Sequence, residues 1–344
     1  MLYLKEEIGL KKITFAAVIA ASALVLTACS SGGAATGSGD ETYNWDMTIT
    51  VSETSTWWAG AEKFGELLDE KSDGRMTLNI FANEQLSGGD PAAGVEMLTN
   101  GDKTFSYNSP IIYSGIDPRF SAITAPFLYA DYEEADAAIA DGGAAAYEKL
   151  TEDLNIKMLG FGESGFRQVT NSKKEITTPS DIAGLKLRVA GSELFLNIYQ
   201  ELGADPVTMN FSEVFTSLQN GTIDGQENPF DVISSNGLME VQGYLSVWNY
   251  VYDPLILGMN LDQYNALSDA DKAIVDEAAA EANEFQIKLS RDAEATQLAE
   301  MKEQMKVTEL SPAQLVAFRE ALQPVYDRYE SKWTAEVLEA VQPK

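Results

Sequence analysis

The amino-acid sequence predicts an α/β fold with two lobes, and three observations support this class. Strand patterns alternate with helical patterns, which favours mostly parallel sheets covered by helices on both faces. The same order of helix, turn and strand occurs before residue 110 and again after residue 210. The chain of 344 residues also exceeds the roughly 100–200 residues of an average domain. We therefore expect two lobes with mostly parallel sheets and a cleft between them.

The first elements follow a strand–helix–strand order, and a second helix and strand come after them. Hydrophobic spacing and turn residues support each assignment. The predicted elements are a strand at 47–51, a helix at 56–71, a strand at 76–81, a helix at 91–98 and a strand at 104–107.

The same order returns in the second half of the chain. Ser212 is predicted to cap a helix that runs through Leu218, and a short strand follows before residues 226–228. In open α/β sheets, the loops beyond the carboxyl ends of strands line the ligand crevice. Asn108 and Ser109 follow the predicted strand at 104–107. We therefore expect them to face the cleft together with residues 226–228.

The C-terminal part of the chain is predicted to be helical. Ser268 caps a pattern that meets no proline or glycine until past Met305, and at ~1.5 Å per residue such a helix could span both lobes. A Ser-Pro pair at 311–312 begins another helix, and Pro324 precedes a last amphipathic helix that ends near Val341.

The N-terminal segment predicts export. Two lysines precede an apolar run at 13–26, which is shorter than the ~20 residues of a membrane span and ends in small residues. The tetrapeptide LTAC resembles a bacterial lipobox, in which Cys29 would receive a lipid and become the mature N-terminus. Cys29 is the only cysteine, so no intramolecular disulfide can form. An ordinary signal peptide with a chance cysteine is the alternative.

These patterns define the predicted organisation of the chain. Residues 1–28 are a lipoprotein signal peptide, and the tract SSGGAATGSGDET has too little apolar surface to order itself, so residues 29–44 form a flexible tether. The lobes are assigned as 45–165 with 254–293 for lobe I and 166–253 with 294–344 for lobe II.

Composition excludes several classes of function. The formal net charge is -29, which argues against nucleic acid as a partner because both would be polyanions. Histidine is absent, and it is the commonest general base and the commonest metal ligand. We therefore expect no cofactor, no metal site and no catalytic residue.

Two arginines are the strongest candidates for binding an acid. Arg188 lies in an alternating strand pattern at 185–189, and Arg167 begins another strand pattern at 167–170. A guanidinium at a strand end can direct a planar, charged fork into a cleft and pair with a carboxylate through two hydrogen bonds. The alternative is that each arginine forms an ordinary surface ion pair.

Four separated motifs resemble one family. GFRQVTN at 165–171, DIAGLKLRV at 181–189, LGADPVTMNFSEVFTSLQNGTIDGQENP at 202–229 and APFLYADYEEA at 125–135 are similar to the DctP-type solute-binding proteins of tripartite ATP-independent periplasmic (TRAP) transporters. The resemblance runs from about Met47 to beyond Phe285. It implies the fold of periplasmic binding proteins, with the ligand cleft between the lobes and a long helix spanning both.

The resemblance also implies roles for individual residues. In the family, the arginine of GLKLRV, here Arg188, forms the principal salt bridge to the ligand carboxylate, and the arginine of the G-x-R-Q motif, here Arg167, is a second contact. In the sialic-acid-like branch, the asparagine of DGQEN, here Asn228, donates to the same carboxylate, and Phe211 packs against the ligand. A turn role for Asn228 and a core role for Phe211 are the alternatives.

Weaker candidates follow other strands or belong to other family motifs. They are Trp57, Glu84, Gln85, Asn108, Ser109 and Phe127. Lobe packing is the alternative for Phe127, and Trp58 is expected in the core. Many relatives have a histidine where this chain reads Trp248-Asn249-Tyr250, so any role of that histidine is absent or taken by Asn249 or Tyr250.

The resemblance implies an extracytoplasmic lipoprotein that captures a small organic acid and delivers it to the small and large TRAP membrane subunits. DGQEN favours a sugar acid, whereas a C4-dicarboxylate or another monocarboxylate is possible. We expect a monomer, held to the membrane by lipidated Cys29 and not by a membrane-spanning helix.

Two rival functions stay open at this point. A secreted glycoside hydrolase could use two carboxylates from Glu213, Asp224, Glu227 and Asp231, since paired acids can work without histidine. The other rival is a ligand-sensing lipoprotein receptor of the same fold. One-to-one binding without product would exclude the hydrolase.

Overall fold

The structure of the protein is a computed structural model that covers residues 41–344. The predicted signal peptide, Cys29 and most of the predicted tether lie outside the described residues. The first strand begins at Tyr43, so the last two residues of the predicted tether, 43 and 44, are part of the fold. Among the described residues, no helix is both long enough and apolar enough to cross a membrane.

The described chain alternates ten strands with fourteen helices. The strands are β1 (Tyr43–Ile49), β2 (Met76–Phe81), β3 (Phe105–Asn108), β4 (Ile156–Asn171), β5 (Lys186–Val189), β6 (Asp205–Thr208), β7 (Gly225–Pro229), β8 (Tyr244–Val247), β9 (Tyr252–Asn260) and β10 (Lys306–Glu309). The helices are α1 (Thr56–Lys71), α2 (Pro91–Asn100), α3 (Pro110–Tyr113), α4 (Tyr132–Ala138), α5 (Ala144–Glu152), α6 (Pro179–Ile182), α7 (Glu193–Glu201), α8 (Val214–Gln219), α9 (Phe230–Ser235), α10 (Leu261–Ala266), α11 (Asp269–Gln304), α12 (Pro312–Ala321), α13 (Gln323–Trp333) and α14 (Ala335–Val341).

Two sheets form the two lobes, and strand β4 belongs to both. Residues 156–166 of β4 pair with β9 and extend the order β2-β1-β3-β9 of lobe I. Residues 167–171 pair with β7 and extend the order β7-β5-β6 of lobe II, where β8 and β10 are added. The register shifts between Glu163 and Gly165, and Gly165 has a φ of 106°, a conformation that L side chains rarely adopt. This irregular segment lies where the strand leaves one sheet and enters the other.

The α/β class is confirmed, and the pairing is more mixed than the alternation of elements suggests. Among residues 41–344, five of the nine strand pairings are parallel. The antiparallel pairs all involve β4 or β9, the two strands that connect the lobes. These strands return across the molecule and do not continue a β-α-β unit, so a local pattern does not reveal their direction.

The helix ends are set by local sequence signals. Ser55 accepts a hydrogen bond from the Trp58 N–H at 3.2 Å and caps α1. Asp90 caps α2, whose first residue is Pro91, and Gly101 ends it with a φ of 80°. Because these signals act within one turn of helix, both helices occur where the sequence predicts them.

The long helix α11 connects the two lobes, as predicted. Ser268 caps it by accepting from the Asp271 N–H at 3.1 Å, and the helix runs for 36 residues. It packs against α1 and β4 in lobe I and against α9 and β10 in lobe II. In its middle, the buried Gln286 side chain donates to the Glu163 carbonyl at 2.7 Å and accepts from the Glu163 N–H at 2.8 Å. Gln286 therefore ties the helix to the backbone of β4.

Some predicted boundaries are wrong. Ser212 does not cap a helix, because it lies inside a 3-10 turn, Phe211–Glu213, before α8. Residues 226–228 lie inside β7 and do not follow a strand, and Arg167 lies inside β4 and does not begin one. For residues 226–228 and Arg167, strand pairing extends the element beyond what side-chain alternation reveals.

The C-terminal helix is also divided in two. Thr334 has a φ of 64° and separates α13 from α14. Although the sequence assigns this segment to lobe II, α14 packs on α5 in lobe I, and the Tyr129 hydroxyl donates to the Val341 carbonyl at 2.6 Å. The Trp333 indole N–H likewise donates to Ser121 at 2.8 Å.

We predict that Gly162→Ala destabilises the protein, because a methyl group at this position would overlap the Tyr107 hydroxyl. Tyr107 is buried and held by Asn283 at 3.1 Å and Gln286 at 3.2 Å, so it has little freedom to move. The free energy of unfolding should fall by about 2–4 kcal/mol in urea denaturation. Gly243→Ala is the control, since no atom lies within 4 Å of its added methyl group. Equal stability of the two variants would contradict this packing.

Candidate functional site

A narrow cavity of about 40 Å³ lies between the lobes. This volume is below the roughly 300–1,000 Å³ of typical small-molecule sites. Both lobes contribute residues to the cavity, so the predicted cleft between them is present. It is lined by Thr50, Val51, Trp57, Pro91, Asn108, Ser109, Ile111 and Ile112 from lobe I, by Arg167, Arg188, Ala190, Phe211, Asn228 and Val232 from lobe II, and by Asp253 from β9.

Strand ends position the polar residues of the cavity. Asn108 is the last residue of β3, and Ser109 follows it and caps α3 by accepting from the Ile111 N–H at 3.1 Å. Arg188 is near the carboxyl end of β5 and pairs in register with Gln226 of β7. These positions agree with the expectation that carboxyl ends of strands converge on the cleft.

Arg188 is buried without a carboxylate partner. Its side chain is 4% exposed, and among the described residues it forms no ion pair. Its Nε and Nη2 groups donate to the Met209 carbonyl at 3.1 and 2.8 Å, and its guanidinium lies 5.5 Å from the centre of the Phe211 ring. The Nη1 group accordingly keeps donors for a further acceptor.

The electrostatic environment of Arg188 is unfavourable in this state. Burial lowers its pKa to about 10, Glu227 opposes this shift, and the neighbouring Arg167 adds to it. The guanidinium is still charged near pH 7, so the site contains a desolvated cation. An incoming carboxylate would compensate this charge, which is why the arrangement favours an anionic ligand.

Arg167 lines the same cavity, but its charge is already matched. Its Nε and Nη2 groups donate to the two oxygens of Glu227 at 2.5 and 2.8 Å, and its Nη1 group donates to Asp253 at 2.6 Å. A further bond from Nη2 reaches the Asn228 Oδ1 at 3.0 Å. Burial alone would lower the pKa of Arg167, but the two carboxylates outweigh burial and raise it.

Glu227 and Asp253 complete the polar network and were not predicted as ligand-site residues. The Tyr250 hydroxyl donates to Glu227 at 2.8 Å, and the Ser109 hydroxyl donates to Asp253 at 2.5 Å. Burial raises the pKa of Asp253 to about 6, against the opposing effect of Arg167. The DGQEN motif contains Glu227, so its position was visible, whereas no pattern in the sequence marks Asp253.

Four predicted site residues do not line the cavity, namely Glu84, Gln85, Phe127 and Tyr250. Glu84 is buried behind it, where it accepts from the Asn108 side-chain amide at 2.8 Å and pairs with Lys103 at 3.8 Å. Gln85 is exposed in a 3-10 turn. Phe127 packs edge-on against Trp248 and Tyr250, in agreement with the packing alternative for Phe127.

The segment Trp248-Asn249-Tyr250 contributes two rings to an aromatic cluster. Trp248 and Tyr250 are stacked with centroids 4.2 Å apart, and Asn249 accepts from Gln168 at 2.6 Å. None of the three lines the cavity. Tyr250 reaches the site only through Glu227, so its place is behind the polar network.

Trp57 and Phe211 both line the cavity and are also core residues. Trp57 is 4% exposed, and its indole Nε1 has no hydrogen-bond acceptor among the described residues. Phe211 is buried and faces Arg188. Phe211 is therefore both a core residue and a residue of the cavity wall, so its two predicted roles are compatible.

The carboxylates considered for a hydrolase do not form a free pair. Glu227 is bound to Arg167, and Asp224 accepts from the Lys186 N–H at 2.9 Å and pairs with Lys173. Glu213 is exposed and does not line the cavity. Two free carboxyl groups flanking a scissile bond, as glycoside hydrolysis requires, do not occur in the cavity that the described residues form.

The fold and the cavity define a two-lobed, ligand-binding α/β protein. Residues 47–332 match the family model described as bacterial extracellular solute-binding protein, family 7, and the chain belongs to this family. The 2,3-diketo-L-gulonate-binding periplasmic protein YiaO of Escherichia coli is 32% identical over 74% of this chain and 76% of its own.

Solved structures show the same relationship. A TRAP periplasmic solute-binding protein from Ralstonia eutropha with bound (S)-2-acetolactate is 32% identical, with a TM-score of 0.83 over 86% of this chain and 97% of its own. The sugar acid binding protein DctPAm from Advenella mimigardefordensis, in complex with galactonate, is 30% identical, with a TM-score of 0.84 over 88% and 97% of the two chains. Proteins of this family are solute-binding proteins.

Asp231 holds the segment that carries Trp57. Its carboxylate accepts from the Thr56 N–H at 3.1 and 3.2 Å and from the Gln297 side chain at 3.1 Å. Because Asp231 lies in the first turn of α9 in lobe II and Thr56 begins α1 in lobe I, this contact also joins the two lobes. Burial raises the pKa of Asp231 to about 6 despite these hydrogen bonds.

We predict that Asp231→Asn stabilises the protein above pH 6. The folded pKa of about 6 exceeds the unfolded value of ~3.9, so the folded state binds more protons between these values and its stability falls as pH rises through this window. The variant should gain about 1–3 kcal/mol at pH 7.5, and this gain should disappear near pH 4. Urea denaturation across pH measures it, with the exposed Asp102→Asn as the charge-matched control. A gain that does not change with pH would contradict the assignment.

Proposed function

We propose that this protein is the extracytoplasmic solute-binding component of a TRAP transporter, which captures a small organic acid through Arg188 and delivers it to the membrane subunits. The observation that carries the proposal is that Arg188 is buried in the cavity between the lobes with no carboxylate partner among residues 41–344. The ligand carboxylate supplies that partner.

The overall charge does not prevent binding of an anion. Screening at physiological salt acts over ~8 Å, so the net charge of -29 mainly disfavours approach, while the buried guanidinium dominates at contact. The Met209 carbonyl accepts from the Nε and Nη2 groups of Arg188, so we assign the ligand carboxylate to the Nη1 end. Each charge-assisted hydrogen bond contributes about 1.5–3 kcal/mol.

Arg167 and Asn228 form the polar floor next to this contact. Arg167 fixes the Asn228 Oδ1, and the Asn228 Nδ2 group donates to Gln226 at 2.5 Å. The second hydrogen of Nδ2 is left for the ligand carboxylate. In this proposal Arg167 acts mainly by orienting Asn228, because Glu227 and Asp253 already neutralise its charge.

Closure of the lobes couples binding to delivery. At the rim, the Ser52 and Thr54 hydroxyls of lobe I each donate to the Ser235 carbonyl of lobe II at 2.9 Å, and Ser114 contacts Ser192 at 2.9 Å. Residues of both lobes enclose the ligand, so it binds the closed state more tightly and shifts the population toward it. The membrane subunits then recognise the closed form.

The relatives support an organic acid as the ligand. The Escherichia coli relative is named for 2,3-diketo-L-gulonate, and the solved structures hold (S)-2-acetolactate and galactonate. A carboxylate is the feature these molecules share, in agreement with a site organised around one unpaired guanidinium.

We predict that Arg188→Ala weakens binding of the cognate acid by about 2–4 kcal/mol, because the buried carboxylate loses its ion pair. Arg188→Lys should recover little of this loss, since an ammonium cannot reproduce the planar fork. Isothermal titration calorimetry measures the change, with the exposed Arg328→Ala as control. An unchanged dissociation constant in Arg188→Ala would remove this residue from the site.

We also propose that lipidation of Cys29 anchors the protein outside the cytoplasmic membrane. Cys29→Ser should move the protein from the membrane fraction to the soluble fraction and abolish acyl labelling, because the side chain no longer carries the thiol that receives the lipid. Cell fractionation with radiolabelled fatty acid measures both effects, and Ser30→Ala serves as control. Continued labelling of Cys29→Ser would refute the anchor.

A further inference from the structure

We propose that the ligand is a short acid with an apolar, branched body and an oxygen on C2, a 2-oxo or 2-hydroxy acid, and not a polyhydroxylated sugar acid. The inference rests on the proposed function, because it assumes that Arg188 binds the carboxylate. It depends on the chemistry of the rest of the cavity wall.

Most of the wall beyond the arginines is apolar. Val51, Ile111 and Ile112 contribute from lobe I, and Ala190, Phe211 and Val232 contribute from lobe II. All except Ile112 are buried core residues, and none of the six side chains has a polar group to offer a ligand. An aliphatic body gains stabilisation against such a wall at about 25 cal/mol per Å² of apolar area removed from water.

The polar side chains of the wall are largely committed to one another. In one network, Ser109, Asp253, Arg167 and Asn228 are linked by hydrogen bonds of 2.5 to 3.0 Å. In the other, the Thr50 hydroxyl donates to Asn108, and the Asn108 amide donates to Glu84 at 2.8 Å. The several hydroxyls of a sugar acid would therefore find few free partners.

The cost of burying hydroxyl groups without hydrogen-bond partners disfavours the binding of a sugar acid in this cavity. A buried hydroxyl without a hydrogen-bond partner costs about 1–3 kcal/mol, which is more than the gain from most single contacts. A six-carbon aldonate brings five hydroxyl groups into the site. A short branched acid brings one oxygen besides its carboxylate.

Trp57 supplies the donor for that one oxygen. Among the described residues, Trp57 lines the cavity and its buried Nε1 has no hydrogen-bond acceptor, in addition to the Arg188 Nη1 that is assigned to the carboxylate. The ligand therefore needs one acceptor besides the carboxylate. An oxygen on C2 keeps both polar groups at one end of the molecule and leaves an uninterrupted body for the apolar wall.

Calorimetry of the full-length chain with four acids tests the ligand class. The acids are 2-oxoisovalerate, 2-hydroxyisovalerate, isovalerate, which lacks the C2 oxygen, and D-gluconate, which carries hydroxyls in place of the branch. We expect the 2-oxo or 2-hydroxy acid to bind at least about tenfold more tightly than isovalerate and than gluconate. Arg188→Ala should weaken binding of every acid that the wild type binds by roughly 30-fold or more.

Trp57→Phe tests the proposed donor. It should lower the affinity for the 2-oxo or 2-hydroxy acid roughly three- to tenfold, and lower that for isovalerate by less, since isovalerate offers no acceptor at C2. Trp58→Phe is the matched control, because this neighbouring tryptophan does not line the cavity. If Trp57→Phe fails to fold, the affinities of the wild type for isovalerate and for the 2-oxo or 2-hydroxy acid test whether the site recognises the C2 oxygen.

The outcomes separate the two proposals. Tighter binding of gluconate that depends on Arg188 would overturn the inference and leave the proposed function intact. Equal binding of isovalerate and the 2-oxo acid would overturn the role of Trp57. Binding of none of these acids would overturn the inferred ligand class, and acid binding that Arg188→Ala leaves unchanged would overturn the proposed function itself.

Discussion

A buried guanidinium without an anion governs the design of this site. Transfer of an unpaired charge out of water is costly, and the fold offsets only part of that cost for Arg188, through the Met209 carbonyl and the face of Phe211. In the proposed function, a ligand carboxylate is the ion-pair partner that Arg188 lacks among the described residues. Affinity and orientation then depend on one interaction that is incomplete in the protein alone.

The two arginines of the cavity have different electrostatic roles, although they lie side by side. Arg167 forms ion pairs with Glu227 and Asp253. Its guanidinium therefore makes the site more rigid but does not offer free donors to a ligand carboxylate. The polar cluster of the cavity contains two cations and two carboxylates, and its net charge is zero when all four are ionised. These groups are Arg167, Arg188, Glu227 and Asp253. A ligand therefore meets one localised cation and does not meet a generally positive pocket.

The scaffold makes this arrangement possible by sharing elements between lobes. Strand β4 carries Arg167 at its passage from one sheet to the other, and α11 is tied to the same strand through Gln286. Asp231 of lobe II holds the N-terminus of α1 in lobe I, next to Trp57. The positions of the cavity residues therefore depend on how the two lobes are oriented relative to each other.

Local signals in the sequence determined much of the fold. Hydrophobic spacing predicted the start of α1, and the cap Ser268 predicted the start of α11. The alternating strand pattern pointed to Arg188, and the family motif DGQEN pointed to Asn228. These features act over a few residues, so they can be read without knowing what lies nearby in space. The resemblance to a family added the order of the motifs and with it the class of protein.

Only the tertiary structure decided which charges meet and which groups are left without a partner. Arg167 and Asp253 are 86 residues apart, and no local pattern reveals that they pair at 2.6 Å. The same holds for Glu84, which lies behind Asn108, and for the Trp57 indole N–H. Burial and pairing are properties of residues distant in sequence, because desolvation depends on everything that surrounds a group and not on its neighbours along the chain.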